Sequence, residues 1–288
     1  MKKNNLDQFY TNPIVSDKLV EILFRIMPST KNKYFLEPSA GTGNFINSLL
    51  KHGIDANKII GYDLEPKSKK IIKANYLEKH IKFQPDRVII GNPPFGSRGK
   101  LALQFLNKSL KESNIVAMIL PNILNRYTIQ KNVDIDAKLI LSSTLKENSF
   151  LFEDKEYGVK CIFQVWTKLP TYQKDLRIKE PPKIKHDDFT TWIHNNTKDT
   201  LKYFDKNKYK WDFAVHRQGY YNYSEIIENS SDLIKNRQYF FVKAKNKKIL
   251  KKLKKVNFEL LSRTNTQILG FSTSDFVSHY VNMNEERR

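Results

Sequence analysis

The sequence predicts an α/β protein whose central, mostly parallel sheet is covered by helices on both faces. Between residues 15 and 166, short apolar segments alternate with segments whose apolar residues recur at helical spacing. This alternation is typical of parallel sheets, because each crossover between neighbouring strands places a helix on one face. A turn with two glycines follows the first predicted strand, and ligands bind at the carboxyl ends of strands in this class of sheet.

The predicted elements follow one another closely along this part of the chain. Apolar residues at helical spacing predict a first helix over Val15–Met27, which Pro28 ends. We predict strands at 33–36, 58–62, 87–90, 114–120, 139–142 and 161–166, and further helices at 45–52, 68–74 and 100–110. These strands are expected to form one sheet.

A change in composition at Leu169 predicts a boundary between two domains. Pro170, Pro181 and Pro182 lie among many charged residues over 169–188, as is typical of a linker. We therefore predict a main domain at 1–168 and a smaller basic region at 169–288. Within the basic region, residues 243–255 are predicted as a lysine-rich helix, which could equally be a solvated surface.

The composition indicates which partner and which cellular compartment to expect. Lys and Arg number 50 against 30 Asp and Glu, and a net charge of +20 favours a polyanionic partner such as a nucleic acid. A lysine-rich surface that serves solubility is the alternative. The polar N-terminus and the absence of a long apolar run predict a cytoplasmic protein, or a nuclear one in a eukaryotic or viral setting. With Cys161 as the single cysteine, we expect neither an intramolecular disulfide nor a metal site.

The segment Glu37–Phe45 has the sequence EPSAGTGNF and lies between a predicted strand and a predicted helix. Gly41 and Gly43 allow a tight turn and the close approach of a ligand to the backbone. The loop lacks the Gly-Lys-Ser/Thr of a P-loop. Asp63 ends the next strand, where a carboxylate suits the two hydroxyls of a ribose, although a loop-capping carboxylate is the alternative.

The segment Asn92–Phe95 has the sequence NPPF and follows a buried predicted strand. An amine attached to an aromatic ring is a poor nucleophile, because its lone pair is delocalised into the ring. The Asn92 side-chain oxygen and the Pro93 carbonyl can accept both amine protons, and Phe95 offers a face for stacking. Asn-Pro also begins ordinary turns, but its position after a strand, about 50 residues beyond the glycine turn, favours the functional interpretation.

Together, EPSAGTGNF and NPPF resemble the motifs of the N6-adenine DNA methyltransferase family, with its gamma-like motif order. The resemblance covers about residues 7–168 and implies a Rossmann-like class I methyltransferase fold. It further implies S-adenosylmethionine as cofactor and direct methyl transfer to a flipped-out adenine. RNA adenine-N6 or guanine-N2 methyltransferases and protein glutamine methyltransferases share NPPF and stay open as alternatives. Methylation of a cytosine carbon is excluded, because it needs a cysteine nucleophile and Cys161 lies in an apolar strand.

The resemblance assigns roles to residues in several segments. The implied cofactor contacts are Tyr10, Thr11, Glu37, Pro38, Ser39, Ala40, Gly41, Gly43, Asn44, Phe45, Asp63, Leu64 and Asn75. The implied catalytic residues are Asn92, Pro93, Pro94 and Phe95, and stacking on the target base falls to Phe95, Phe150 and Phe152. Packing in the core is the alternative for Phe150 and Phe152, and simple aromatic packing is the alternative for Tyr10.

The basic region at 169–288 suits recognition of the target. It contains aromatic residues and arginines of the kind that contact nucleic acids: Trp192, Trp211, Arg217, Tyr220, Tyr221, Tyr223 and Arg237. DNA is the expected partner, RNA is the alternative, and a restriction endonuclease is a further partner that the resemblance suggests. The target sequence and the oligomeric state stay open.

Overall fold

The computed structural model describes residues 10–146, 149–152, 155–157, 160–264 and 268–285. The chain divides into two compact units, Met1–Glu180 and Pro181–Arg288. The strands of the first unit are β1 Tyr10–Thr11, β2 Tyr34–Glu37, β3 Ile59–Asp63, β4 Ile72–Lys73, β5 Arg87–Gly91, β6 Ile115–Pro121, β7 Lys138–Thr144, β8 Phe150–Phe152, β9 Lys155–Tyr157 and β10 Cys161–Thr167. Its helices are α1 Pro13–Ile26, α2 Asn44–Lys51, α3 Lys100–Glu112 and α4 Tyr127–Gln130.

A seven-stranded sheet with the order β4-β3-β2-β5-β6-β10-β7 forms the centre of the first unit. Strands β2 to β6 run parallel, and β10 is antiparallel to both of its neighbours. This order confirms the predicted Rossmann-like α/β fold with a central, mostly parallel sheet. From β2 the chain builds outwards in one direction through β3 and β4 and in the other through β5 and β6. The carboxyl ends of β2 and β5 therefore flank the switch point at which α/β sheets bind ligands.

The central strands are apolar on both faces because helices cover the sheet on both sides. In β5, Val88 and Ile90 belong to a core that includes residues of α1 and α2. Ile89, which lies between them, belongs to a second core with Phe105 and Leu106 of α3. This alternation follows from the two-residue repeat of a strand, and it fixes the register that brings Gly91 to the carboxyl edge.

The helix predicted at residues 68–74 is wrong. The segment forms a turn followed by the short edge strand β4, in which Ile72 pairs with Tyr62 and Lys73 with Asp63. Ile71 is buried against Ala40 and Ile46, whereas the side chain of Ile72 is 51% exposed. Two adjacent isoleucines that point to opposite sides fit a strand, and no continuous apolar face is available to stabilise a helix.

The division between the two units falls after Glu180, later than the predicted change at Leu169. Residues 169–180 pack on the first unit: Leu176 N donates to Leu139 O at 2.7 Å, and Lys138 Nζ donates to Tyr172 O at 2.9 Å. Arg177 donates to backbone carbonyls of Gln130, Val133, Asp134, Ile135 and Ala137. This arginine, one of the charges that suggested a linker, therefore binds the segment between α4 and β7 of the first unit.

The second unit contains a three-stranded antiparallel sheet with β13 in the centre. Its strands are β11 Phe189–His194, β12 Phe213–Gln218 and β13 Gln238–Ala244, and its helices are α5 Lys206–Tyr209, α6 Lys247–Leu253, α7 Phe258–Ser262 and α8 Thr273–Glu285. An apolar core joins the sheet to α6, α7 and α8, and a second, aromatic cluster contains Trp211, Tyr239 and Phe241. The lysine-rich helix predicted at 243–255 is shorter, because Lys243 belongs to β13.

Across the part of the chain that the structure describes, no helix combines the length and the apolar character needed to span a membrane.

Candidate active site

The carboxyl ends of β2, β3 and β5 open onto one cleft of the first unit. The cleft contains about 760 Å³ of empty space, the open mouth included. It is lined by Tyr10, Pro38, Ser39, Gly41, Asp63, Leu64, Ala74, Asn75, Tyr76, Asn92, Pro93, Pro94, Phe95 and Phe105. Segments that are far apart in the sequence therefore meet at the switch point of the sheet.

Tyr10 closes one side of the cleft over the glycine turn. Gly41 has a φ of +50°, and a Cβ at this position would lie 2.9 Å from Cε1 of the Tyr10 ring. Glycine is thus required both for the left-handed backbone and for the close approach of the ring. Asn44 Nδ2 donates to Thr11 O at 2.7 Å and so holds the strand that carries Tyr10.

Asp63 joins the glycine turn to the end of β3. Its Oδ2 accepts a hydrogen bond from Gly41 N at 2.7 Å, and its Oδ1 accepts one from Glu65 N at 2.8 Å. The carboxylate therefore caps the loop and lines the cleft at the same time. Each carboxylate oxygen has a second acceptor site, so hydroxyl groups can bind without displacing these bonds. Burial, followed by the negative charges of Asp63 and Glu65, raises the pKa of Tyr10.

Glu37 ends β2 immediately before Pro38 and is only 3% exposed. Its Oε2 is buried and accepts no hydrogen bond from any described residue. Burial raises the pKa of Glu37 well above its usual range; a hydrogen bond from the Ile46 backbone opposes this effect, and the charge of Asp63 adds to it. Buried acceptors in proteins are normally paired, so an unpaired carboxyl oxygen beside the cleft indicates a missing donor.

The NPPF segment forms the opposite wall of the cleft. Ser39 Oγ donates to the backbone oxygen of Asn92 at 2.9 Å, which ties the NPPF segment to the glycine-turn segment. Pro93 is buried, and Phe95 packs partly against both apolar cores. The prolines restrict the backbone and remove N–H donors, so the segment presents acceptor oxygens in a fixed conformation.

An aromatic wall that the sequence did not predict completes the cleft. The rings of Tyr76 and Phe105 lie 5.4 Å apart, and the hydroxyl group of Tyr76 donates to Glu112 Oε2 at 2.6 Å. Glu112 also pairs with Lys108 at 2.7 Å. Phe105 and Glu112 are seven residues apart on one face of α3. This helical spacing was the one feature of the sequence that could have indicated that the two side chains face the same region. Ala74 was missed as well.

Several predicted cofactor residues surround the cleft without lining it. They are Thr11, Glu37, Ala40, Gly43, Asn44 and Phe45. Phe45 is buried in the apolar core that the sheet forms with α1 and α2, and Ala40 packs against Ile46 and Ile71. These placements give Phe45 and Ala40 a packing role, and the cofactor contacts of the whole group stay predictions.

Asn75 has partners within its own turn, and the two predicted stacking residues are described only by their backbone. Asn75 lines the cleft, but its Oδ1 accepts from Leu77 N at 3.2 Å and its Nδ2 donates to Glu78 at 2.7 Å. Its side chain therefore caps the following turn. The side chains of Phe150 and Phe152 lie outside the described residues. Only their backbone is described, and it forms β8 beside the strand of Tyr10.

Among the described residues, the site contains neither a cysteine nucleophile nor a metal cluster. Cys161 is fully buried in β10, and burial raises the pKa of its thiol. Within the described ranges, no group of three or more His, Cys, Asp or Glu side chains is placed to hold a metal ion.

Part of the chain is similar in sequence to two type II methyltransferases. A stretch of 120 residues is 32% identical to the type II methyltransferase M.HincII of Haemophilus influenzae, and the same values hold for M.HindII of Haemophilus influenzae strain ATCC 51907. The match covers 41% of this chain and 22% of each relative, so the chain spans about a fifth of the length of the curated relatives. No protein-family model matches the chain.

Among solved structures, a Pyrococcus horikoshii protein provisionally described as an RNA methyltransferase superposes with a TM-score of 0.47 at 18% identity, over 59% of this chain and 90% of that protein. A Vibrio vulnificus protein provisionally described as a modification subunit of a type I restriction enzyme gives a TM-score of 0.42 at 17% identity, over 58% and 46%. Both TM-scores are below 0.5, so neither likeness bears on the activity.

Proposed function

We propose that this chain is an S-adenosylmethionine-dependent methyltransferase that methylates the N6 amine of adenine in DNA. The observation that carries the proposal is the meeting of two motifs in one cleft. The glycine turn with Asp63 and the NPPF segment line the same space, and the bond from Ser39 to Asn92 links their loops. The local similarity to two type II methyltransferases supports the same class of reaction.

Residues in and beside the cleft fit this cofactor in three respects. Asp63 retains acceptor sites for the ribose hydroxyls, and Tyr76 with Phe105 provides an apolar wall for an adenine ring. The unpaired Oε2 of Glu37 is suited to an ammonium donor such as the one at the amino-acid end of the cofactor. When bound, S-adenosylmethionine supplies an electrophilic methyl group on a sulfonium centre.

The NPPF segment would prepare the acceptor amine. Asn92 Oδ1 and the backbone oxygen of Pro93 would accept the two amine protons, which localises the nitrogen lone pair and aims it across the cleft. Phe95 would stack on the face of the base and offset part of the cost of unstacking, which is a few kcal/mol. Because the rigid loop is ordered before binding, little conformational entropy is lost when the base enters.

The same oxygen pair can also orient the amine of guanine or the amide of glutamine. Transfer of tritium from labelled cofactor to duplex DNA, structured RNA and a glutamine-containing peptide separates these acceptors in one experiment. We expect label in DNA. Label confined to RNA or to the peptide would overturn the choice of substrate, and absence of label from every acceptor would overturn the proposed reaction. A partner restriction endonuclease is a further proposal, suggested by the type II methyltransferases that the chain resembles.

A further inference from the structure

One end of the second unit's sheet gathers side chains from all three strands. His194 and His216 both pair with Tyr239, so the carboxyl ends of β11 and β12 lie on either side of the beginning of β13. Six residues at this sheet end form what we call the arginine–tyrosine patch: Asn195, Arg217, Tyr220, Tyr221, Arg237 and Gln238. Their types are those that contact nucleic acids through guanidinium, amide and aromatic groups.

A stack of rings and a cation organises one part of the patch. The Arg237 guanidinium lies 5.0 Å from the centre of the Tyr221 ring. Tyr221 stacks on His216 at 4.4 Å, and His216 stacks on Tyr239 at 5.1 Å. Because His216 and Tyr239 are buried, the stack is anchored in the sheet, and Arg237 is held at its outer end.

A second cation is held beside the stack. Arg217 Nη1 donates to Asn195 Oδ1 and to Gln238 Oε1, the latter at 3.2 Å. Its Nε is buried and donates to no described residue, and burial lowers the pKa of its guanidinium. Tyr220, next to Tyr221, is 78% exposed although it is a large aromatic side chain. An exposed ring that follows directly on the Arg217 segment and precedes Tyr221 is free to stack on a partner.

The charge of the segments that build this sheet end is mainly positive. Residues 195–200, 217–222 and 235–238 contain four basic residues, Lys198, Arg217, Lys235 and Arg237, and one acidic residue, Asp199. Glu225 is the acidic side chain that faces the stack, with its Oε2 3.6 Å from His216 Nε2. The remaining surface of the patch therefore attracts a polyanion.

We infer that the arginine–tyrosine patch docks duplex DNA, with Arg237 and Arg217 on the backbone or a base edge and Tyr220 against a sugar or an unstacked base. This inference rests on the proposed function, and it deepens it by naming the surface of the second unit that meets the substrate. Duplex DNA is favoured because arginine and amide side chains read base edges in its wide major groove, whereas the major groove of duplex RNA is too narrow for them.

Fluorescence anisotropy of the full chain with a fluorescein-labelled 24-base-pair DNA of mixed sequence tests the inference. We expect Arg237→Ala and Tyr220→Ala each to weaken binding by about tenfold, within the range of one lost bidentate or stacking contact. Arg237→Ala should also lower the slope of log affinity against log salt by about one. Tyr220→Phe keeps the ring face and should bind within about twofold of the unchanged chain.

Lys248→Ala provides the matched control for charge. Lys248 is exposed on α6, which follows the far end of the seven-residue β13, about 20 Å along the strand from the patch. This variant should bind DNA within about twofold of the unchanged chain. An equal loss in Lys248→Ala, or normal binding by both patch variants, would overturn the inference. So would preferential displacement of the labelled DNA by an RNA duplex of the same sequence.

Two further measurements distinguish failure of the docking surface from failure of the proposed function. Thermal melting of each variant detects loss of folding, and Tyr220→Ala carries the test if Arg237→Ala unfolds, because Tyr220 is exposed. Calorimetric binding of S-adenosylmethionine should be unchanged in the patch variants. A chain that binds DNA through the patch but neither binds the cofactor nor transfers methyl groups would overturn the proposed function and leave the docking surface standing.

Discussion

The cleft of the first unit is built from strand ends and short turns, whereas the patch of the second unit is built from side chains that converge from three strands. In the cleft, Gly41, Pro93 and the ends of β2, β3 and β5 position backbone and side-chain groups locally. In the patch, Arg217 and Arg237 depend on stacking and amide contacts with distant residues. The cleft, where a reaction needs fixed geometry, is therefore positioned mainly by the backbone. The patch, which we infer to recognise the substrate, is formed by side chains, and surface side chains can change with less effect on folding.

The comparison predicts its largest effect at Asn92. Asn92→Ala should lower kcat by about 10²-fold or more while S-adenosylmethionine still binds, because the lost acceptor acts mainly on the amine in the transition state. Single-turnover methylation and calorimetric cofactor binding measure the two parts. Asn47→Ala, an exposed asparagine on α2 outside the cleft, is the control and should leave both unchanged. Near-normal kcat in Asn92→Ala would remove this residue from the reaction.

A smaller effect is expected at Asp63, where one carboxylate caps a turn and lines the cleft. Asp63→Ala should weaken cofactor binding by about 1–3 kcal/mol, because hydrogen bonds to a charged group are lost. Asp55 caps a turn in the same way, with its Oδ1 2.8 Å from Asn57 N, but it lies outside the cleft. Asp55→Ala therefore controls for the lost cap. Equal calorimetric affinities of the two variants would argue against a ligand role for Asp63.

Glu37 should show opposite effects on stability and on binding. Burial raises the pKa of this carboxyl, so the folded state holds a proton that the unfolded state releases above about pH 4.5. The free energy of unfolding therefore falls as the pH rises from 4.5 towards the folded pKa. Glu37→Gln removes this dependence and should melt at a higher temperature than the unchanged chain at about pH 8, while cofactor affinity falls. Parallel melting curves of the two chains against pH would contradict the account.

The smallest expected effect lies in the second unit, at His216. Burial, only partly opposed by Glu225, lowers the pKa of this ring, so folding favours its neutral form. The free energy of unfolding should decrease as the pH falls below 6.5 and level off below the folded pKa. His216→Phe retains a ring between Tyr221 and Tyr239 and should flatten this part of the melting profile. An unchanged slope between about pH 7 and about pH 5 would show that other groups cause it.

The sequence predicts the central sheet well because its strands are continuous apolar runs that are buried on both faces. It fails at residues 68–74, where the burial of Ile71 against Ala40 and Ile46 decides the conformation and no local signal reports it. It also places the change of domain at Leu169, because the role of Arg177 as a donor to five carbonyls depends on tertiary contacts. Both failures come from long-range packing that overrides local preference.

The candidate site likewise combines residues that short motifs predict with residues that only tertiary packing brings together. Turn residues such as Gly41 and Pro93 lie within short motifs, so their place at the cleft follows from the order of motifs along the chain. Tyr76 and Phe105 meet only because α3 folds back over β5 and β6, and no motif marks them. In the second unit, Trp211 and Tyr223 are buried, which removes them from the predicted contacts with nucleic acid, whereas Tyr220 is exposed. Composition alone cannot separate buried from exposed aromatic residues.

In the proposed reaction, NPPF presents an adenine amine to a methyl donor held by the glycine turn. Duplex DNA incubated with the full chain and S-adenosylmethionine that carries a deuterated methyl group, then digested to nucleosides, tests it most directly by mass spectrometry. The account predicts trideuterated N6-methyldeoxyadenosine from the unchanged chain and almost none from Asn92→Ala. Deuterium on another nucleoside, or equal amounts of labelled N6-methyldeoxyadenosine from both chains, would contradict this reaction.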